Sequence, residues 1–214
     1  MIQVCPTITA FSEDDYNRQM AVVSPFARGL HIDLMDGQFA PSRSPDITKI
    51  WWQSNQLADL HMMYLRPSDY LDTIIKLKPN RLIFHFEADV DHVSLAKSLQ
   101  DNNIKAGLAL LANTPVTAIK DLINYFDQIL IFSGHLGYHG GQADLKLTDK
   151  IAEIKNLSAD IEIAWDGGIN DLNIKNLLQK GVSVFNVGGY IHNASNPGNA
   201  YAKLEVLIKQ VSND

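Results

Sequence analysis

Two side chains that can bind a metal ion or move a proton lie two residues apart in an apolar stretch, namely His31 and Asp33. The surrounding residues, 29–34, predict a buried strand, and side chains two apart on a strand point to the same face. A histidine and an aspartate on a buried face are unfavourable unless a partner binds them. The stretch therefore predicts a site for a metal ion or a reacting polar ligand, with Met35 on the same face.

Polar residues at the ends of two other predicted strands extend this candidate site. His61 follows Asp59 by two positions in one strand, and Asp166 directly follows another. The ligand candidates are then His31, Asp33, His61 and Asp166. Two imidazoles and two carboxylates suit one divalent first-row ion, and we expect zinc, manganese or iron(II). Any one of these residues is equally compatible with a hydrogen-bonded core histidine or a turn-forming aspartate, but four at equivalent strand ends favour a metal site.

Three pairs of glycines follow the last three predicted strands, at Gly140-Gly141, Gly167-Gly168 and Gly188-Gly189. Glycine lets backbone amides approach an anion closely, and barrel enzymes often bind phosphate beyond strands seven and eight. Each pair is also compatible with a tight turn from strand to helix. If the predicted strands close into a barrel, the three pairs lie opposite the metal candidates. Their repetition then favours a phosphorylated substrate that spans the mouth of the barrel.

The elements that must position these residues alternate between short apolar runs and segments of helical spacing. The predicted strands are residues 2–5, 29–34, 57–62, 81–86, 105–110, 128–132, 162–165 and 183–187. Apolar stripes with spacings of three and four predict helices within 70–77, 147–157 and 201–211. About eight strands alternating with about eight helices predict an α/β protein in which residues 1–214 form a single (β/α)8 TIM barrel. A doubly wound open sheet has the same periodicity, but polar residues gathered at the C-terminal strand ends favour the barrel.

Composition narrows the class of protein and its partners. Of the 214 residues, 46% are hydrophobic and 20% are charged, and the net charge of −6 is unfavourable for general nucleic-acid binding. The single cysteine, Cys5, excludes an intrachain disulfide and fits a reducing compartment. The N-terminal residues do not resemble a signal peptide, and no stretch reaches the roughly 18 apolar residues of a membrane span. We therefore expect a cytoplasmic protein that binds neither nucleic acid nor membrane.

The order of motifs along essentially the whole chain resembles the ribulose-phosphate 3-epimerase family. The most specific match is His31-Ile32-Asp33-Leu34-Met35-Asp36-Gly37, followed by Phe39 and Pro41. The other matching segments are Pro6-Thr7-Ile8, His61-Met62-Met63 with Arg66-Pro67, His85-Phe86-Glu87-Ala88, Ala106-Gly107-Leu108 with Thr114-Pro115, Gly140-Gly141-Gln142 and Asp166-Gly167-Gly168-Ile169. The combination carries the resemblance, rather than any single segment.

This resemblance implies a metal-dependent epimerisation at C3 of a ketose phosphate, of the ribulose 5-phosphate and xylulose 5-phosphate type. Moving a proton from one face of the sugar to the other requires an acid/base group on each side and a cation near the developing oxyanion. Asp33 and Asp166 are the expected acid/base pair. Met35 and Met63 match positions that line the family's site, and we expect them, Thr7 and the glycine pairs to contact a small sugar phosphate. By residue type alone, the two methionines are equally compatible with core packing.

Departures from the family pattern fall around the substrate and spare the metal candidates. Residues 136–142 replace a usual Pro-Gly-Phe-Gly-Gly-Gln, and Gly188-Gly189 replaces a usual Gly-Ser. A hexulose 6-phosphate such as allulose 6-phosphate, or another pentulose phosphate, is therefore an alternative substrate. A non-catalytic sugar-phosphate-binding protein is a further alternative, and a homo-oligomer is compatible with the sequence.

Two other classes of barrel enzyme fit the residues less well. Metal-dependent hydrolases often carry His-x-His on the first strand, and residues 2–8 contain no histidine. Aldolases and synthases usually need a lysine at a strand end, whereas Lys49 and Lys105 lie elsewhere. His135 and His139 lie in the loop after strand six, where solvated histidines are common, and we leave them out of the catalytic set.

Overall fold

Eight parallel strands close into a barrel in a computed structural model of the protein, which describes residues 2–138 and 140–212. The strands are β1 (Gln3–Thr9), β2 (Gly29–Met35), β3 (Leu57–Met63), β4 (Arg81–His85), β5 (Lys105–Leu110), β6 (Gln128–Phe132), β7 (Glu162–Asp166) and β8 (Val184–Val187). Each strand pairs with the next along the chain, and β8 pairs with β1. The predicted (β/α)8 barrel is confirmed, and the open-sheet alternative is excluded because the pairing of β8 with β1 closes the sheet.

Strand β1 extends four residues beyond the predicted end at residue 5. Pro6 cannot donate a ladder hydrogen bond and the threonines after it are polar, so the apolar run ends early although the extended backbone continues. Val4 and Ile8 pack in the outer core, while Thr7 and Thr9 line the cavity at the barrel mouth. The extra length of β1 therefore brings polar side chains to the C-terminal end of the barrel.

Helices cover the outside of the barrel in most of the strand connections. They are α1 (Glu13–Val23), α2 (Leu71–Leu77), α3 (His92–Asp101), α4 (Asp149–Leu157), α5 (Ile174–Lys180), α6 (Gly189–His192) and α7 (Pro197–Ser212). The β2–β3 and β5–β6 connections, both fully described, contain short 3-10 helices in place of an α-helix. Pro41 and Pro45 disfavour a regular helix in the first of them. Within the described residues, no helix has both the length and the apolar character needed to span a membrane.

The barrel interior changes in character from one end to the other. A cluster of inward-facing apolar side chains fills it between the ends, formed by Cys5, Ile83, Ala109, Leu130, Ala164 and Val184. Towards the N-terminal ends of the strands, Arg81 pairs with Asp59 at 3.0 Å and with Glu162 at 2.8 Å. Asp59 lies on the same strand face as His61, as the alternation predicts, but its carboxylate belongs to this ion-pair network rather than to the metal candidates.

Candidate active site

The four metal-ligand candidates come together at the C-terminal end of the barrel. His31 and Asp33 lie on β2, His61 on β3 and Asp166 on β7, and all four are buried. One ligand atom from each residue lies within 4.8 Å of the others. The prediction that these strands bring the four side chains together is therefore confirmed, and the cluster could hold a metal ion.

The atoms that face one another identify the ligand atom of each residue. His61 Nδ1 lies 2.9 Å from Asp33 Oδ1 and 3.8 Å from Asp166 Oδ2. His31 Nε2 lies 3.4 Å from Asp33 Oδ1 and 3.6 Å from Asp166 Oδ2, and it has no hydrogen-bond partner among the described residues. The Thr9 hydroxyl donates to Asp33 Oδ2 at 2.7 Å, which leaves Oδ1 directed at the cluster. Two imidazole nitrogens and two carboxylate oxygens around one point fit a divalent first-row ion.

Burial and charge have opposing effects on the titration of this cluster. Burial by itself would lower the pKa of His31, but Asp166 and Asp33 raise it to about 10. Burial would likewise raise the pKa of Asp33, but His31 and His61 hold it well below its usual range. In the metal-free protein, a proton on His31 therefore supplies the positive charge that the two carboxylates require.

We expect metal binding to release about one proton from His31 at about pH 8, because a ligand nitrogen must be unprotonated. Below its raised pKa of about 10, His31 holds a proton that competes with the metal ion. The metal affinity should therefore rise with pH up to about pH 10 and then level off. Calorimetric titration with manganese in two buffers of different ionisation enthalpy counts the released protons. A heat of binding that is independent of the buffer would contradict the protonated state of His31.

A cavity of about 320 Å³ opens beside the cluster. Its walls include Thr7, Asp33, Met63, Gly140, Gly141, Asp166, Gly167, Gly168, Gly188 and Gly189. Met35 is 2% exposed and does not line the cavity, because it packs with Ala40 and Met63 behind the wall. His135 lines the cavity, and His139 lies outside the described residues. The structure thus brings together all predicted substrate contacts except Met35.

The turn after β7 depends on glycine for a steric reason. Gly167 and Gly168 have φ angles of +112° and +70°, which side chains disfavour. A Cβ atom on Gly168 would lie 2.0 Å from the backbone nitrogen of Ala143, and one on Gly167 would lie 2.5 Å from that of Gly134. The β7 turn and the loop after β6 therefore touch backbone to backbone at the cavity wall.

Thr9 and Asn186 are among the polar residues of the cavity wall that were not singled out from the sequence. Asn186 is 2% exposed and pairs with Asp166 in the register of β7 and β8. Its Nδ2 atom has no hydrogen-bond partner in the described part of the chain. An amide among the apolar residues of β8 is the signal that could have identified it, since a buried unpartnered amide favours a polar ligand.

Residues 3–192 match the model of the Ribulose-phosphate 3 epimerase family. The chain is 29% identical over 219 residues to the ribulose-phosphate 3-epimerase of Mycobacterium leprae, covering 98% of this chain and 96% of that protein. It is 28% identical over 195 residues to the ribulose-phosphate 3-epimerase of Candida glabrata, covering 82% and 79%. The solved 3-keto-L-gulonate-6-phosphate decarboxylase from Vibrio cholerae shares the fold, with a TM-score of 0.78 at 12% identity over 98% of each chain. Because the family match extends over most of the barrel and the relatives carry the same name, this chain belongs to the ribulose-phosphate 3-epimerase family.

Proposed function

We propose that the protein epimerises a ketose phosphate at C3 in a metal-dependent reaction. The observation that carries the proposal is the placement of Asp33 and Asp166, which reach one cavity from β2 and β7. Strands β1 and β8 separate these two strands in the barrel, so the carboxylates enter the cavity from different directions. Such a pair supports proton transfer on two sides of one bound sugar.

In the proposed reaction, one aspartate removes the proton from C3, next to the C2 carbonyl. The electron pair of the C3–H bond enters an enediolate. The other aspartate, which carries a proton at the start of this step, delivers it to the opposite face of C3. The two aspartates thereby exchange protonation states, and proton exchange with solvent restores the starting states. Either residue is the base, depending on which epimer enters the cavity. At neutral pH Asp33 is in the carboxylate form, which can accept a proton, because its pKa is held below its usual range.

His31, Asp33, His61 and Asp166 would hold the divalent ion, which we propose to be zinc, manganese or iron(II). When bound, such an ion supplies positive charge beside the oxygen that becomes negative during the reaction. Thr9 contributes by holding Asp33 Oδ2, which fixes the direction of the carboxylate without occupying Oδ1. Because the four side chains are buried on strands, their positions are fixed before any ligand arrives.

We infer that the glycine pairs after β6, β7 and β8 hold the phosphate group of the substrate through backbone N–H groups. Thr7 would contact the same substrate, since it lies on the cavity wall and its hydroxyl has no hydrogen-bond partner among the described residues. Met63 on the wall, backed by Met35, would keep water away from the reacting carbon.

The first substrate pair to examine is ribulose 5-phosphate and xylulose 5-phosphate, which the names of the relatives support. Allulose 6-phosphate is the second, because the loop at 136–142 and Gly188-Gly189 depart from the family pattern at the cavity. A cytoplasmic location, the absence of nucleic-acid and membrane partners, a homo-oligomer and the action of residues 1–214 as one domain stay predictions.

A substrate panel tests this function. Metal-loaded protein is incubated with pentulose and hexulose phosphates, and NMR spectra are searched for the C3 epimer of each. We expect one pair to interconvert at a much higher rate than the rest. A metal-loaded protein that binds a sugar phosphate but forms no epimer from any of the panel would instead be a non-catalytic binding protein.

We expect Gly189→Ser to tighten binding of the phosphorylated substrate about three- to tenfold, the range of one added hydrogen bond. The position has room, because a Cβ atom there would lie 3.5 Å from Asn193 Nδ2 and 3.9 Å from Gly140 Cα. The measurement is the KM of the preferred substrate. Gly189→Ala is the matched control, since it adds the same Cβ atom without the hydroxyl. Equal KM values for the two variants would show that no phosphate oxygen lies near residue 189.

A further inference from the structure

The ring nitrogen of His61 that points away from the metal candidates has a partner of its own kind. His61 Nε2 lies 2.9 Å from Nε2 of His85, a fully buried residue of β4. Two ring nitrogens at this distance share one proton, so one is the donor and the other the acceptor. Phe39 and Phe132 pack on the His85 ring, with centroid distances of 4.8 Å and 5.8 Å, and they fix its orientation.

The other nitrogen of His85 faces the carboxylate of Glu87. His85 Nδ1 and Glu87 Oε2 lie 3.5 Å apart, and neither has a hydrogen-bond partner among the described residues. Glu87 is held by its second oxygen, because the Leu111 backbone N–H at 3.1 Å and the Thr114 hydroxyl donate to Oε1. Lys150 Nζ donates to the carbonyl oxygens of Leu111 and Thr114 and fixes the same turn. Glu87 is therefore a fixed acceptor directed at His85.

Two proton arrangements of equal net charge satisfy the two rings. In the first, His61 Nδ1–H donates to Asp33 and His85 Nε2–H donates to His61, which leaves a bare His85 Nδ1 facing the Glu87 carboxylate. In the second, His61 Nε2–H donates to His85 and His85 Nδ1–H donates to Glu87. Only the second arrangement leaves the lone pair of His61 Nδ1 free for a cation.

We propose that Glu87, acting through His85, stabilises the ring tautomer of His61 that binds the metal ion. This rests on the metal site of the proposed function and makes His85 and Glu87 positioning residues. If His61 Nδ1 lost its proton to solvent in order to hold an ion, the shared proton would move from His85 Nε2 to His61 Nε2. A proton from solvent would then fill His85 Nδ1, so His61 and His85 together would release no net proton.

Glu87→Gln tests the proposal with almost no change in shape. The amide oxygen keeps the hydrogen bonds of Leu111 and Thr114, while an NH2 group replaces the oxygen that faces His85. This donor favours a bare His85 Nδ1 and hence the tautomer of His61 that excludes the ion. We expect the Kd for manganese, measured by calorimetry without any sugar, to rise about 10- to 100-fold.

His85→Gln supplies the second measurement. A glutamine amide can rotate to accept from His61 Nε2–H whatever residue 87 is, so this variant should bind manganese well and be insensitive to Glu87→Gln. Nitrogen NMR of the zinc-bound wild-type protein should place the His85 proton on Nδ1. His92→Gln is the local control, because His92 Nε2 contacts the Phe86 carbonyl and none of the metal candidates.

Any one of three results would overturn the proposal. The first is a Kd of Glu87→Gln for manganese within about twofold of the wild-type value, and the second is an equal effect of Glu87→Gln on this Kd in the His85→Gln background. The third is a zinc complex in which the His85 proton lies on Nε2. Failure of the wild-type protein to bind manganese or zinc is a different result. It would remove the metal site from the proposed function, and with it the basis for this role of His85 and Glu87.

Discussion

Asp166→Asn and Asp33→Asn are each expected to lower the rate of epimerisation by about 10²- to 10⁴-fold, the usual contribution of one acid/base group. An asparagine amide neither removes the C3 proton nor returns one, although its oxygen can still face a metal ion. The rate is measured by NMR on the preferred ketose phosphate in both directions. Because two carboxylates serve two faces of the sugar, loss of either one should block conversion in both directions.

The metal content of each aspartate variant must be measured with the rate, since both residues are also ligand candidates. A rate that stays low at full metal occupancy isolates the proton-transfer role. Asp59→Asn is the matched control, because Asp59 is an equally buried barrel carboxylate that pairs with Arg81 instead of facing the cavity. It should lower stability and leave turnover of the folded protein unchanged. Near-normal turnover of Asp33→Asn or Asp166→Asn would show that the acid/base assignment is wrong.

Gly168→Ala is expected to lower kcat/KM by about 10²-fold, as displacements of about 1 Å at a catalytic site can do. The added Cβ would lie 2.0 Å from the backbone nitrogen of Ala143 and 2.4 Å from the carbonyl carbon of Gln142, so the loop after β6 must move. That loop forms one wall of the cavity next to the proposed phosphate position. The left-handed backbone adds strain of about 1–2 kcal/mol, which lowers Tm by about 2–8 °C.

Gly181→Ala separates strain from displacement. Gly181 also has a positive φ, +109°, but a Cβ atom there meets only the Ile151 side chain at 3.4 Å, away from the cavity. We expect a similar loss of Tm with kcat/KM unchanged. If the two variants had the same kcat/KM, the contact between the β7 turn and the β6 loop would have no part in substrate binding.

The candidate metal cluster was predictable from sequence because it depends on two regular features of the fold. Strand alternation places His31 and Asp33 on one face, and the barrel brings the ends of β2, β3 and β7 to one mouth. Alternation predicts which face of a strand a residue is on. It does not predict the position along the barrel axis relative to residues of other strands, because that depends on how far neighbouring strands are offset. Asp59 shares the face of His61, but it lies towards the N-terminal ends of the strands and forms the ion pair with Arg81.

Contacts that depend on side-chain direction or on distant loops were not predictable. The spacing of His85 and Glu87 is visible in the chain, but their contacts with His61 and Thr114 span 24 and 27 residues and need the closed barrel. Met35 shares a strand face with Asp33, yet Ala40 and Met63 pack around it and keep it off the cavity wall. Asn186 needs the packed neighbours of β8 before its unpartnered amide can be recognised.

Exchange of the C3 hydrogen with deuterated water shows whether the protein removes and returns a proton at this carbon. Metal-loaded protein is mixed with each ketose phosphate in deuterated buffer, and NMR follows the loss of the C3 proton signal together with formation of the epimer. We predict deuterium at C3 alone, at a rate that depends on both Asp33 and Asp166. Retention of the C3 proton throughout the panel, in protein shown to contain metal and bind the sugar phosphate, would show that the protein is not a C3 epimerase of these sugars.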